Sequence, residues 1–167
     1  TFHVPSICIA NSASLSVIAS GRTTGLVVEC GAGLTTAVPV YEGFVLKHAV
    51  TYMDYGGQDV SANLRKSFLD KNIQLDISAA KFIKERLAFV HGYQSQDMEQ
   101  TYSEKLTFCL PDGNDVTVDS KIFRECTDSL FMNNKMSSGG LVSQVHESIV
   151  LCDESVKSDL AHNIILS

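Results

Sequence analysis

The spacing of apolar positions changes several times along the chain, and each change predicts an element. Ser6 to Ile18 is rich in small and β-branched residues and ends in the turn-forming run Ala19-Ser20-Gly21-Arg22-Thr23-Thr24-Gly25, which predicts a helix followed by a loop. Leu26-Val27-Val28-Glu29 and Leu34 through Tyr41 are β-prone runs separated by Cys30-Gly31-Ala32-Gly33, a glycine spacing that suits a tight hairpin. Ala49 to Met53 adds a third strand after the Glu42-Gly43 turn.

Beyond Gly56-Gly57 the period becomes helical, with Val60, Leu64 and Phe68 on one stripe and Asn72 as the stop. Asp76 caps a second helix in which Ala79, Ile83, Leu87 and Val90 recur on one face while Lys84, Glu85 and Arg86 turn elsewhere. Gly92 to Gln100 reads as loop. Tyr102 to Leu110 and Val116 to Asp119 read as strands around the turn Pro111-Asp112-Gly113-Asn114. Helices follow at Ser120 to Leu130, Leu141 to Leu151 and Ser155 to Ala161, then a strand from Asn163 to Leu166. The order is mixed α/β, with hairpins first, an inserted helical lobe, and a return to the first layer.

Composition narrows the class. A chain of 167 residues with 44% hydrophobic and 19% charged residues carries enough apolar surface for a real core, and no run approaches the roughly 20 apolar residues of a membrane span. The net charge of −6, with no basic run, removes the usual electrostatic footprint for nucleic acid or anionic lipid. The five cysteines are odd in number, widely spaced and lack a CxxC pair, which argues against a disulfide framework and a zinc site and for reduced thiols in the cytosol or nucleus. The opening Thr1-Phe2-His3-Val4-Pro5 has no initiator Met and no basic n-region, so it reads as a cut into a longer protein.

Three segments carry candidate chemistry, and each has a plain structural reading beside it. Backbone N–H groups of the Glu29-Cys30-Gly31-Ala32-Gly33 turn can converge on phosphate oxygens without a lysine, although a Gly-x-Gly turn alone is more often structural. Met53-Asp54-Tyr55-Gly56-Gly57-Gln58-Asp59 ends a strand and opens a helix, where the N-terminus attracts anions; taken alone, a strand-to-helix turn with Asp59 as dipole partner is the more ordinary reading. Lys81, Lys84 and Glu85 share a polar helix face, which is by default a solvated one.

Taken in order, the segments Ala19-Ser20-Gly21-Arg22-Thr23-Thr24-Gly25, Val38-Pro39-Val40-Tyr41-Glu42-Gly43, Ile83-Lys84-Glu85-Arg86-Leu87, Leu110-Pro111-Asp112-Gly113, Phe123-Arg124 and Ile165-Leu166-Ser167 resemble the actin family. The resemblance covers nearly the whole chain and is weakest at Gly92 to Thr101 and Met132 to Val142. It implies an α/β fold of ribonuclease-H-like type, the superfold shared with sugar kinases and chaperone ATPases, with an inserted helical lobe and incomplete at both ends. The implied division is 1–56 as core hairpins and first helix, 57–130 as inserted lobe, and 131–167 as the return to the core, cut before the adenosine loop.

The resemblance further implies that Gly31, Ala32, Gly33 and Leu34 form the second phosphate loop of an interdomain cleft. It sets Gly57 beside the nucleotide, Lys81, Lys84 and Glu85 at ribose and adenine, and Glu29 at a metal through water. ATP or ADP with Mg2+ or Ca2+ is the implied cofactor of the full-length protein. Typical actins carry Asp where this chain has Glu29 and Ala32, their water-orienting Gln aligns with Ser12, and a His aligns with Thr36. Phosphoryl transfer depends on positioned water and charge stabilisation, so these departures predict weak or absent hydrolysis and no catalytic residue. The expected role is an actin-like cytoskeletal or complex subunit. Its expected partners are other actin-like subunits or actin-binding proteins, and it is placed in the cytoplasm and cytoskeleton or in the nucleus. The alternatives are a nucleotide-free actin-fold interaction module and an ATPase or sugar kinase of the same superfold.

Overall fold

β1 (Gly25–Cys30) and β2 (Thr35–Tyr41) form an antiparallel hairpin in which Val27 opposes Val38 and Val28 opposes Ala37. Their side chains are buried almost without interruption, the pattern of strands covered on both faces. Val27, Val38 and Val40 pack on Ala13 and Val17 of α1 (Ser12–Ala19), whereas Leu26 and Ala37 meet Cys152, Val156 and Leu160 on the opposite face. The last two belong to α6 (Glu154–His162), and Val145 and Ile149 of α5 (Leu141–Val150) complete that layer.

These elements come from a computed structural model that describes residues 3–90, 105–110, 113, 115–131 and 139–167. It contains two compact units, Thr1–Asp54 with Val142–Ser167 and Tyr55–Leu141. The sequence had suggested divisions at 56/57 and 130/131. The expected loop at 92–100, most of the turn at 111–114 and the polar stretch 132–138 lie outside the described residues, as do the first three positions of the strand expected from Tyr102.

In the first unit, Glu42 (φ 49°) and Gly43 (φ 84°) both take left-handed backbone, the requirement of a type I′ hairpin turn, and so return the chain from β2 into β3 (Phe44–Val45). A 3₁₀ turn over Lys47–Ala49 follows, then β4 (Thr51–Met53), which pairs with the other half of β2. The strand expected from Ala49 is therefore shorter, because Lys47 to Ala49 coil before the chain extends. β7 (Ile164–Leu166) runs parallel to β1, giving the order β3-β2-β1-β7 with β4 also on β2. Two buried hydroxyls bind α5 to the β4 region: Ser148 Oγ donates to the Ala49 carbonyl at 2.7 Å and Thr51 Oγ1 to the Gln144 carbonyl at 3.0 Å.

α1 starts six residues later than the sequence predicted. Asn11 accepts from the Ala13 N–H at 2.9 Å and fixes the start there, leaving Ile7 and Ile9 in exposed, non-helical chain behind Pro5.

The second unit contains α2 (Gly57–Leu69), α3 (Ile77–Leu87), the antiparallel pair β5 (Lys105–Cys109) and β6 (Asp115–Asp119), and α4 (Lys121–Phe131). Val60, Leu64 and Phe68 are buried as their spacing predicts, and Asn72 (φ 61°) stops the chain after α2. Phe68, Phe108 and Phe123 bring together α2, β5 and α4, with ring centroids 6.2, 6.3 and 6.1 Å apart at tilted or edge-on angles. Asp76 caps α3 as expected, its carboxylate accepting from the Ser78 N–H at 3.1 Å. The helix ends at Leu87, so Val90 is not part of it, and the buried stripe runs through Ala80 and Ile83 instead of Ala79 and Leu87.

All five cysteines are free thiols: Cys8, Cys30 and Cys109 are exposed, whereas Cys126 and Cys152 are buried. Among the described residues no helix is long and apolar enough to cross a membrane.

Candidate functional site

Cys30 pairs with Thr35, so Gly31, Ala32, Gly33 and Leu34 make a four-residue loop at the end of the β1–β2 hairpin. The Gly31 N–H donates to the Leu34 carbonyl at 2.9 Å. A Cβ on Gly31 would lie 2.9 Å from that same oxygen, whereas one on Gly33 would meet nothing within 4 Å. Loop closure therefore accounts for Gly31, and the ground in front of Gly33 is open. The N–H groups of Ala32, Gly33 and Leu34 donate to no other described residue, and all four loop residues are exposed. Three successive unspent donors supply what an anion requires.

Glu29 and Thr36 are cross-strand partners at this end of the hairpin, and by the two-residue period of a strand they share the α1 side of the sheet with Val27 and Val38. Thr36 Oγ1 is buried without a hydrogen-bond partner. A hydroxyl withheld from water beside a carboxylate is a place for one bridging water or ligand oxygen. Ser12 is the first residue of α1, the helix that covers the same face.

The other expected site residues belong to the second unit. The Gly56 N–H donates to Asp59 Oδ2 at 2.8 Å, which fixes the start of α2 at Gly57. Lys84 Nζ donates to the Gly57 carbonyl at 2.7 Å, so these two residues, distant in sequence, are brought together. Lys81 and Glu85 lie one turn apart on the exposed face of α3 with 3.9 Å between charged atoms. Within this unit the structure thus gives two pairs, Gly57 with Lys84 and Lys81 with Glu85.

Behind Lys84, desolvation pushes the buried Cys126 thiol up to about 11, against the opposing pull of the lysine charge. Sequence reasoning missed the polar cluster beside it. Tyr55 OH lies 2.7 Å from Ser129 Oγ and accepts from Asn63 Nδ2 at 2.6 Å, and Ser129 Oγ donates to the Cys126 carbonyl at 2.6 Å. Burial raises the Tyr55 pKa, partly offset by the Ser129 hydrogen bond. No local pattern announces a contact that depends on α2 meeting α4. Among the described residues no group of three or more His, Cys, Asp or Glu side chains is placed to hold a metal ion.

The β1–β2 loop, the covered hairpin and the glycine-led start of α2 all fall within one stretch of sequence. Residues 1–79 match the family model described as Actin, so this stretch of the chain is similar to the actin family.

Proposed function

We propose that the protein is an actin-like subunit that, in its full-length form, binds ATP or ADP with Mg2+ or Ca2+ in a cleft between domains and hydrolyses it slowly or not at all. The observation that carries this reading is the exposed Gly31–Leu34 loop, in which the N–H groups of Ala32, Gly33 and Leu34 donate to no other described residue. Phosphate oxygens fit such a loop because they accept from backbone N–H groups without needing a cationic side chain. Lys81, Lys84 and Glu85 would meet the sugar and base, and Glu29, longer by a methylene than Asp, would reach the cation through water. A bound divalent cation would supply charge neutralisation for the phosphates.

Weak hydrolysis follows from which groups are present. Ala32 carries no carboxylate, and Ser12 and Thr36 offer short hydroxyls where the family has longer nitrogen-bearing side chains. Attacking water would therefore be held poorly, and positioning is most of the catalysis in phosphoryl transfer. The nucleotide then acts as a structural ligand, and the subunit works through contacts with other actin-like subunits or actin-binding proteins in the cytoplasm, cytoskeleton or nucleus.

A second reading is a nucleotide-free interaction module. It draws support from Lys84, whose ammonium is already bound to the Gly57 carbonyl. Calorimetric titration of Mg-ATP into the full-length protein, with the 167-residue chain alongside, separates the two. Saturable binding by the full-length protein supports the nucleotide reading, and silence from both proteins supports the module. Phosphate release measured with and without Glu29→Gln tests hydrolysis, and robust turnover in the unaltered protein would overturn the structural-ligand role.

A further inference from the structure

The second unit holds a cavity of about 670 Å3 that the nucleotide reading does not use. It runs along one face of α3, from Asp76 at the cap to Arg86 in the last turn. Ten residues of helix span roughly 15 Å. Leu75, Ala79, Phe82 and Leu110 give it apolar walls, and its size falls within the roughly 300–1,000 Å3 of small-molecule sites. A smaller depression of about 240 Å3, lined by Ile83, Leu87 and Phe108, adjoins it past Arg86.

The charges along the cavity are unequal. Asp76 spends its carboxylate on the N–H of Ser78, which holds its pKa below the ordinary range, and Arg65 adds a favourable charge. Arg86 has its guanidinium carbon 4.2 Å from the centroid of the Phe82 ring and makes no ion pair with a described residue. The cation–π contact steadies the guanidinium over the ring, and its fork of N–H donors suits a planar carboxylate. In a chain of net charge −6, a hollow whose arginine makes no ion pair with a described residue and whose walls beside it are Ala79, Phe82 and Leu110, with the polar Gln74, Asp76 and Ser78 towards the other end, suits an anion with an apolar body.

We infer that this cavity is a binding site for a small amphipathic carboxylate, flat or aromatic in its apolar part, with the carboxylate on Arg86 and the ring between Ala79, Phe82 and Leu110. The site lies within the second unit and is independent of the Gly31–Leu34 loop.

The test uses naphthalene-2-carboxylate as probe and its neutral counterpart naphthalene-2-methanol, followed by amide chemical shifts of the 15N-labelled chain. Saturable shifts confined to the residues around 74–86 and 109–110 are expected, with the carboxylate binding more tightly than the alcohol. A hydrogen bond to a charged group is worth about 1.5–3 kcal/mol, so Arg86→Gln should weaken the carboxylate about tenfold or more and leave the alcohol unchanged. Ala79→Trp should fill the hollow and weaken both. Arg86 is exposed, so the Gln variant keeps the fold, and its unchanged far-ultraviolet circular dichroism would verify this. Equal affinity for acid and alcohol, shifts centred elsewhere, no saturation at millimolar probe, or an Arg86→Gln variant that binds the acid as before would each overturn the assignment.

Discussion

The two glycines of the β1–β2 loop look alike in sequence and differ in what surrounds them. Gly31→Ala would drive a methyl group to 2.9 Å from the Leu34 carbonyl and should cost roughly 1–3 kcal/mol, read from the urea midpoint, whereas Gly33→Ala should stay within about 0.5 kcal/mol. If Gly33→Ala then weakens Mg-ATP in the full-length protein, its bare backbone serves the ligand and not the fold. Asp76 gives a second residue-scale expectation. Its folded pKa lies below the unfolded value, so the stability that its cap contributes is fully present above the unfolded carboxylate range and is lost as pH falls through the folded pKa. The urea midpoints of the parent and Asp76→Ala should therefore differ at pH 7 and converge in strong acid. Asp76→Asn, which keeps a capping oxygen, should lose this pH dependence without losing the cap.

Contacts between elements decide what the sequence could and could not disclose. Strands β1 and β2, the start of the second unit's helical run and the Asp76 cap were legible because their signals are local: continuous β-branched runs, a 3.6-residue stripe, an acid before a helix. The extent of α1 was not, since the small residues before Asn11 permit either state and the cap decides. β3 escaped notice because two residues are too few to show a period. Of the candidate site, the loop was visible as glycines and the Lys81–Glu85 pair as helical spacing, but Lys84 on Gly57, the Tyr55–Asn63–Ser129 cluster and the orphan hydroxyl of Thr36 arise only from packing. Two element-scale expectations follow. Phe123 joins α4 to Phe68 and Phe108 at full burial, so Phe123→Ala should destabilise the chain by about 3–5 kcal/mol. Ser148→Ala strands the Ala49 carbonyl beneath α5 and should cost roughly 1–3 kcal/mol, both changes being read by chemical denaturation.

At the scale of the whole molecule, the expected nucleotide residues are shared between two units, with Gly31 to Leu34 in one and Gly57, Lys81, Lys84 and Glu85 in the other. If Mg-ATP binds the full-length protein as proposed, it should stabilise it by mass action, by about 2.7 kcal/mol at a hundred times its Kd, seen as a rise in Tm. The same division has a use for kinetics. Each unit encloses one thiol, Cys152 in the first and Cys126 in the second, and burial lifts the pKa of both. Under a thiol reagent, the exposed Cys8, Cys30 and Cys109 react first, Cys30 held back somewhat by the desolvation that raises its pKa, and the two slow phases that remain are clocks wound by the protein itself. Each ticks only when its own half of the chain opens, so mass spectrometry of the modified peptides would time the breathing of the halves separately, without a single introduced label.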